Sequence, residues 1–475
     1  MATDPVSTPR GARNSTAFAD AWRDLGEVLG LSFPIIVAMA SHTLMGSVDT
    51  WMLSHYGRAE LAAAGASGAV AFVYIAFVFG TANCTSTFVS QSMGRGAYDE
   101  CARYTWQGMY FGVIVQAVAI PLIIAAPSIF TLFHHAPRVQ GLESIYFRIR
   151  MAHVMGTASY AALSSFFQST RRPGIPMVVA LVANVVNALL DYVFIFGHFG
   201  APALGIAGAA LATAFASYLQ AGLLLVCFLW RPMHQRFASR TRWRPDLARF
   251  RQLMWVGAPS GLSFMLDVAS WAVFINLLIG RLGDSVLAAN TIANTLFALC
   301  FMPAVGMNKG VTVLVGQYIG RRNIPAAKRR AYLGIGVAMA YMTSMGLLLV
   351  IFRRPIIRFF RPDDPAVVAI GATMMIPGAV YQAFDALGIV SMGALRGAGD
   401  TRFPAVIGVA AAWGILLPLG YLLTFTAGFG YVGAWSAAAI HLAIIGSIFF
   451  WRFASEAWRK IDIFGAASSP SPPGT

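Results

Sequence analysis

Apolar residues run through this chain in long unbroken stretches, and the polar residues gather in the gaps between them. Twelve stretches are long enough to cross a bilayer, near residues 29–54, 61–84, 105–127, 146–168, 174–197, 206–230, 253–280, 286–315, 331–352, 366–392, 404–427 and 432–453. The strands of a membrane barrel would instead alternate in polarity over about ten residues. A backbone in lipid has to satisfy its own hydrogen bonds, so the spans are helices. The pattern predicts an all-α polytopic membrane protein with twelve transmembrane helices.

The pattern also repeats. Phe88-Val-Ser-Gln91-Ser-Met-Gly94-Arg95 returns as Leu314-Val-Gly-Gln317-Tyr-Ile-Gly320-Arg321, an offset of 226. Leu61-Ala-Ala returns as Leu287-Ala-Ala at the same offset, Pro34 as Pro259, Pro176 as Pro404, and Gly208-Ala as Gly433-Ala. A near-constant offset signals a duplicated six-helix unit. Six is even, so both copies cross in the same sense, as two parallel repeats with a cleft between them. The expected division is a disordered N-terminal tail (1–24), a first lobe of helices 1–6 (25–230), a basic cytoplasmic linker (231–252), a second lobe of helices 7–12 (253–458) and a C-terminal tail (459–475). The first 20 residues lack the apolar core and cleavage site of a signal peptide.

Composition supports this reading: of 475 residues, 57% are hydrophobic and 11% charged. The net charge of +15 does not point to nucleic acid, because the cations are distributed by topology. With the N-terminus taken as cytoplasmic, the termini and even-numbered loops hold 24 Lys and Arg, and the other loops hold 9. The positive-inside rule then puts both termini in the cytoplasm. One outer loop runs against it, with Arg353, Arg354, Arg358 and Arg361. The four cysteines show no disulfide or metal spacing and read as small packing residues.

Candidate chemistry lies inside the spans. Asn184, Asn187 and Asp191 share one helix face, at about 100° per residue. A carboxyl at bilayer depth is costly and should face a bundle interior or a wet cavity; the packing alternative is a helix–helix hydrogen bond. Three more acids lie deep in spans, Asp49, Asp267 and Asp385. None of the four is copied by the duplication, which favours function over scaffolding. His42 shares a face with Asp49, and a carboxyl in low dielectric that can load and release a proton suits ion coupling. Asp267 has Phe264 and Trp271 nearby in sequence, and Asp385 has Tyr381. Acids beside aromatic faces suit a lipophilic cation. Lys309, alone in the eighth span, is expected to pair with Asp267 or Asp385, or else to snorkel to the membrane edge. The chain has only three lysines, Lys309, Lys328 and Lys460, and none sits in an ATP-binding G-x-x-x-x-G-K-[ST] loop. No H-E-x-x-H or G-x-S-x-G occurs, so the expectation is a non-enzyme driven by an ion gradient.

These residues resemble the multidrug and toxic compound extrusion (MATE) transporters, in particular the NorM-type branch. The resemblance rests on Ser47-Val-Asp49-Thr50, Phe194-Ile-Phe-Gly197-His-Phe-Gly200-Ala-Pro202-Ala-Leu-Gly205, Val315-Gly316-Gln317-Tyr-Ile-Gly320 and Tyr381-Gln382-Ala-Phe-Asp385 with Gly393-Ala-Leu-Arg396-Gly397. It implies a two-lobed antiporter of the bacterial inner membrane, working as a monomer without cofactor. Such a protein exports small amphipathic organic cations in exchange for H⁺ or Na⁺. Family acids fall on Asp49, Asp267 and Asp385, and a family Asn on Asn187; Asp191 resembles the fifth-span Asp of the DinF-type branch. The expected ion-coupling set is Asp49, Asp191, Asn187 and Asn184, and the expected second-lobe set is Asp267, Asp385, Lys309 and Tyr381. Lys309 stands where a small neutral residue is usual and disfavours a Na⁺ near Asp267 and Asp385, so H⁺ is the expected ion. The alternative is a flippase for lipid-linked saccharide or an organic-anion exporter, which an Arg-dominated cavity would favour.

Overall fold

A computed structural model describes residues 10–465, with side chains from residue 20 onward. Helix α1 (Arg10–Tyr56) holds Pro34 within its length and, at 1.5 Å per residue, is about 70 Å long, so it extends well beyond the hydrocarbon layer. The second pass is α2 (Arg58–Asn83) with α3 (Thr85–Arg95), and the third is α4 (Tyr98–Thr131). The fourth pass is interrupted: α5 (Pro137–Ala152) and α6 (Val154–Ser169) break at His153. Then follow α7 (Gly174–Phe196), α8 (Ile206–Leu229) and the short α9 (Arg231–Phe237).

The second half opens with α10 (Leu247–Val273), which widens into a π-helical turn over Phe274–Ile279. It continues with α11 (Asp284–Gly320), α12 (Ile324–Ile351), the short α13 (Arg353–Phe360) and α14 (Pro365–Ala398). The eleventh pass, Arg402–Thr426, comprises α15 (Arg402–Ala411), α16 (Leu417–Tyr421) and two π-helical turns, and α17 (Gly430–Ala454) is the last. Among the described residues, eleven helical segments are long and apolar enough to cross a membrane. The remaining pass is the broken α5–α6 pair, whose first half carries Glu143, Arg148 and Arg150 in place of an uninterrupted apolar run.

The two halves close on each other at the end of the molecule that holds the chain termini. There α1 lies on α11, with Gly306 against Ile36 and Gly310 against Ser32, while α2 lies on α10, with Gly80 against Gly261. The repeated motif explains itself at this seam. A Cβ on Gly94 would stand 2.1 Å from Gln317 O, and one on Gly320 would stand 2.3 Å from Gln91 O, so both copies need glycine for backbone to meet backbone. The two glutamines reach across reciprocally. Gln91 Nε2 donates to Gly397 O at 3.0 Å, and Gln317 Nε2 donates to Ser169 O at 2.7 Å. Ion pairs flank the seam: Glu27 on α1 binds Arg171 of the first half and Arg330 of the second.

The N-terminal segment is more ordered than expected. Residues 10–24 of the expected N-terminal tail are helical, and Asp24 is fully buried against Arg329 and Arg330. Trp458 and Phe464 near the other terminus are buried, and the Arg95 guanidinium lies 3.6 Å above the Phe464 ring. Residues 1–9 and 466–475 of those segments lie outside the described residues. Within 231–252 the chain forms α9 and the start of α10. Asp246 caps α10 by accepting from Arg249 N, and Arg249 pairs with Glu100 on α4.

Replacing Gly320 by Ala is expected to cost about 1–3 kcal/mol and lower the thermal midpoint of the detergent-purified protein, because its Cβ meets backbone that cannot step aside. Gly222→Ala, where a Cβ meets nothing within 4 Å, is expected to leave the midpoint unchanged or slightly raised. Thermal-shift size-exclusion chromatography measures both.

Candidate functional site

Buried polar groups of the first half converge where α1, α7 and α8 meet. Gly208 lets α8 approach α7 until backbone nearly touches backbone, since a Cβ there would stand 2.5 Å from Phe194 O. Gly433 does the same against Leu423 O in the second half. That close approach brings Thr213 to the acids. Thr213 Oγ1 donates to Asp49 Oδ2 at 3.1 Å. With its NH2 turned towards the carboxyls, Asn187 donates to Asp49 Oδ1 at 2.9 Å and to Asp191 Oδ2 at 3.3 Å.

Asn187 and Asp191 are fully buried, and Asp191 Oδ1 has no partner. Two ionised carboxylates sharing one amide would repel each other in a low-dielectric interior. One proton held between them removes that repulsion and lets the pair titrate as a unit. Asp49 is also on the wall of a cavity of about 500 Å³, with Asp191 behind it. One carboxyl is thus open to the cavity and a second lies behind it, joined through Asn187.

The cavity runs alongside α1 from Met39 to Leu53 and α2 from Leu61 to Phe79, and the far wall is α5, α6 and α8. Phe264 and Met302 of the second half complete it. Phe72 and Phe264 meet edge to face at 6.4 Å across the two halves. His42 shares a 3.0 Å hydrogen bond with Tyr160. The break at His153 turns Arg150, His153 and Tyr160 towards the same space. Arg150, His153 and Thr213 escaped the sequence reading. Arg150 did leave a signal, as a cation inside an expected span, but it read as part of the topology pattern.

The second half is arranged differently from expectation. Asp267 and Asp385 lie close enough to interact electrostatically. Lys309 pairs with neither. Its Nζ donates to Asn83 Oδ1 at 3.1 Å and lies 4.8 Å from the Phe79 ring centroid, both on α2 of the other half. The tight α2–α10 and α1–α11 contacts place Lys309 at the seam, where a neutral amide and a ring face take the role expected of a carboxylate. Tyr381 is buried, stacked on Trp435 at 6.0 Å and edge-on to Phe297, so its ring packs within the lobe. Asn184 also stands apart from the acids: its Nδ2 donates to Ser41 O at 2.7 Å and pins α7 to α1. Among the described residues, no three His, Cys, Asp or Glu side chains are placed to hold a metal ion.

The fold and site define an all-helical, internally duplicated membrane protein with intramembrane acids in both lobes and a cavity lined mainly by the first. The MatE family profile matches residues 34–193 and 259–422, once in each half. The chain is 30% identical over 442 residues to the probable multidrug resistance protein NorM of Mesorhizobium japonicum, covering 91% of this chain and 94% of that protein. It is 31% identical to the protein of the same name from Neisseria meningitidis, covering 92% and 95%. A solved structure described as the outward-facing conformation of a multidrug resistance MATE family transporter of the MOP superfamily shares the fold, with a TM-score of 0.84 at 18% identity over 92% of this chain and 97% of that one. The chain belongs to the MatE family.

Lys309 and Asn83 are expected to be energetically coupled. Lys309→Met and Asn83→Leu each lower the thermal midpoint, and the double variant loses less than the two added together, a coupling of about 0.5–3 kcal/mol. A double-mutant cycle by thermal denaturation measures it, and strict additivity would show that the contact contributes nothing.

Proposed function

We propose that this chain is a multidrug efflux antiporter that expels amphipathic organic cations in exchange for H⁺, by alternating access of its two lobes. The observation that carries this reading is the Asp49–Asn187–Asp191 cluster, with Asp49 on the cavity wall and Asp191 behind it. A cation entering among Phe72, Phe79 and Phe264 gains ring-face attraction and the Asp49 charge once the proton leaves. Cargo and proton then compete for one carboxyl pair, which is the minimum that exchange requires. The names carried by the similar proteins from Mesorhizobium and Neisseria support the substrate class.

The direction follows from topology. With both termini in the cytoplasm of a bacterium and the spans in its inner membrane, the Gly94–Gly320 seam closes the cytoplasmic side and the cavity belongs to an outward-facing state. Rocking the lobes apart at the seam would expose the same cavity inwards. A charge crossing 100 mV yields about 2.3 kcal/mol, roughly a forty-fold concentration ratio, which is enough to drive export. H⁺ is favoured over Na⁺ because two carboxyls bridged by one amide can share a proton, whereas a Na⁺ would need several more oxygen ligands around it. The chain works as a monomer in lipid. One observation favours the organic-anion alternative: Arg150 lines the cavity with its Nε unpartnered.

In proteoliposomes with a trapped pH-sensitive dye, adding ethidium is expected to release protons with the parent protein. Asp49→Asn and Asp191→Asn should each cut that release at least about tenfold while inserting normally, and replacing Na⁺ with choline should change nothing. Unchanged exchange in both variants would falsify the coupling role. A signal driven by an organic anion and lost in Arg150→Gln would favour the alternative.

A further inference from the structure

The short helix α13, between α12 and α14, carries the one basic cluster that the positive-inside pattern leaves unexplained. Arg354 and Arg358 are one turn apart on one face of the helix, Arg361 follows directly at its C-terminal end, and all three are exposed. Phe352, Ile356, Phe359 and Phe360 fall on the opposite face, where Phe359 is 85% exposed and Phe352 51%. Ile357 is fully buried against Gly371 of α14, so the helix is held in place. Among the described residues, none of Arg353, Arg354, Arg358 and Arg361 forms an ion pair. Of the two acids that follow, Asp364 is spent capping α14 by accepting from Val367 N at 3.0 Å, which leaves Asp363 alone nearby. The cluster lies at the end of the membrane region away from the termini, where cations carry a topological cost.

A rigid helix with aromatic rings on one face and arginines on the other is built to lie in a bilayer interface. Free water would satisfy the arginines but leave the phenylalanines exposed, and a soluble acidic partner would do no better. An anionic phospholipid satisfies both faces, with phosphates against the guanidiniums and acyl chains against the rings. We propose that α13 is a docking site for anionic phospholipid headgroups in the leaflet remote from the termini, with Arg354, Arg358 and Arg361 on the phosphates and Phe352, Phe359 and Phe360 in the acyl region.

Native mass spectrometry of the full chain in detergent, titrated with phosphatidylglycerol or phosphatidylcholine, tests this. The parent is expected to retain phosphatidylglycerol preferentially. The triple variant Arg354→Gln, Arg358→Gln, Arg361→Gln should weaken its tightest phosphatidylglycerol binding about tenfold or more, with phosphatidylcholine binding unaltered. Phe359→Ser, which leaves every arginine in place, should weaken binding of both lipids. A control triple in the linker at the other end, Arg240→Gln, Arg242→Gln, Arg244→Gln, should keep the tightest site. The proposal is overturned if the α13 triple retains phosphatidylglycerol as the parent does, or if inorganic phosphate alone displaces the lipid. It is equally overturned if an acidic soluble protein binds through these arginines while lipid retention is unaffected.

Discussion

Backbone meeting backbone across the two halves, at Gly94 and Gly320, is the constraint from which the rest of the architecture follows. Side chains at either position would push the seam apart, and the reciprocal bonds of Gln91 and Gln317 would be lost with it. Beyond the shut seam the cavity opens mainly within the first half, with Phe264 and Met302 of the second completing its wall. The charged contacts of Asp24, Glu27, Arg171 and Arg330 stand at the same closed end. The buried Asp24–Arg330 pair among them is costly to break singly and nearly neutral overall, which suits a contact that specifies one arrangement of the lobes more than it adds stability.

The duplication accounts for the scaffold but not for the chemistry. Scaffold positions come in mates, such as Gly208 with Gly433 and Gly94 with Gly320, because each half solves the same packing problem. The acids do not. Asp49 and Asp191 face one another through Asn187 in the first lobe, whereas in the second Asp385 lies between Asp267 and Tyr381, whose ring stacks on Trp435. The two lobes thus have different interiors, one built on a carboxyl pair bridged by an amide at the cavity and the other on stacked rings packed within the lobe.

Much of this was legible in the residues. Span number, the repeat and the stripe bearing Asn187 and Asp191 follow from periodicity, because lipid enforces long apolar helices with polar groups turned inwards. Partners across the fold were less accessible. Nothing in the neighbourhood of Lys309 in sequence points to Asn83, since the pairing depends on how the halves cross. Asn184 shares a helix face with Asn187 but lies two turns from Asp191, near enough to α1 that a carbonyl captures it first. Arg150 and His153 were hidden for another reason: the helix breaks between α5 and α6, and no periodicity argument carries through a break. The N-terminal tail was misread because composition reports the average residue, while Asp24 is held by specific contacts with Arg329 and Arg330.

The bond between Lys309 and Asn83 joins residues 226 apart, the same spacing that separates the two copies of the repeated motif. Each is therefore the counterpart of the other, and they meet where the pseudo-twofold axis passes. Any residue on such an axis confronts its own copy. In a dimer of two identical half-length chains, a lysine there would face a lysine, and the like charges would drive the halves apart. Only a single chain that carries both halves can place a donor opposite an acceptor at that point, so this lysine became tolerable only once the two copies were free to differ.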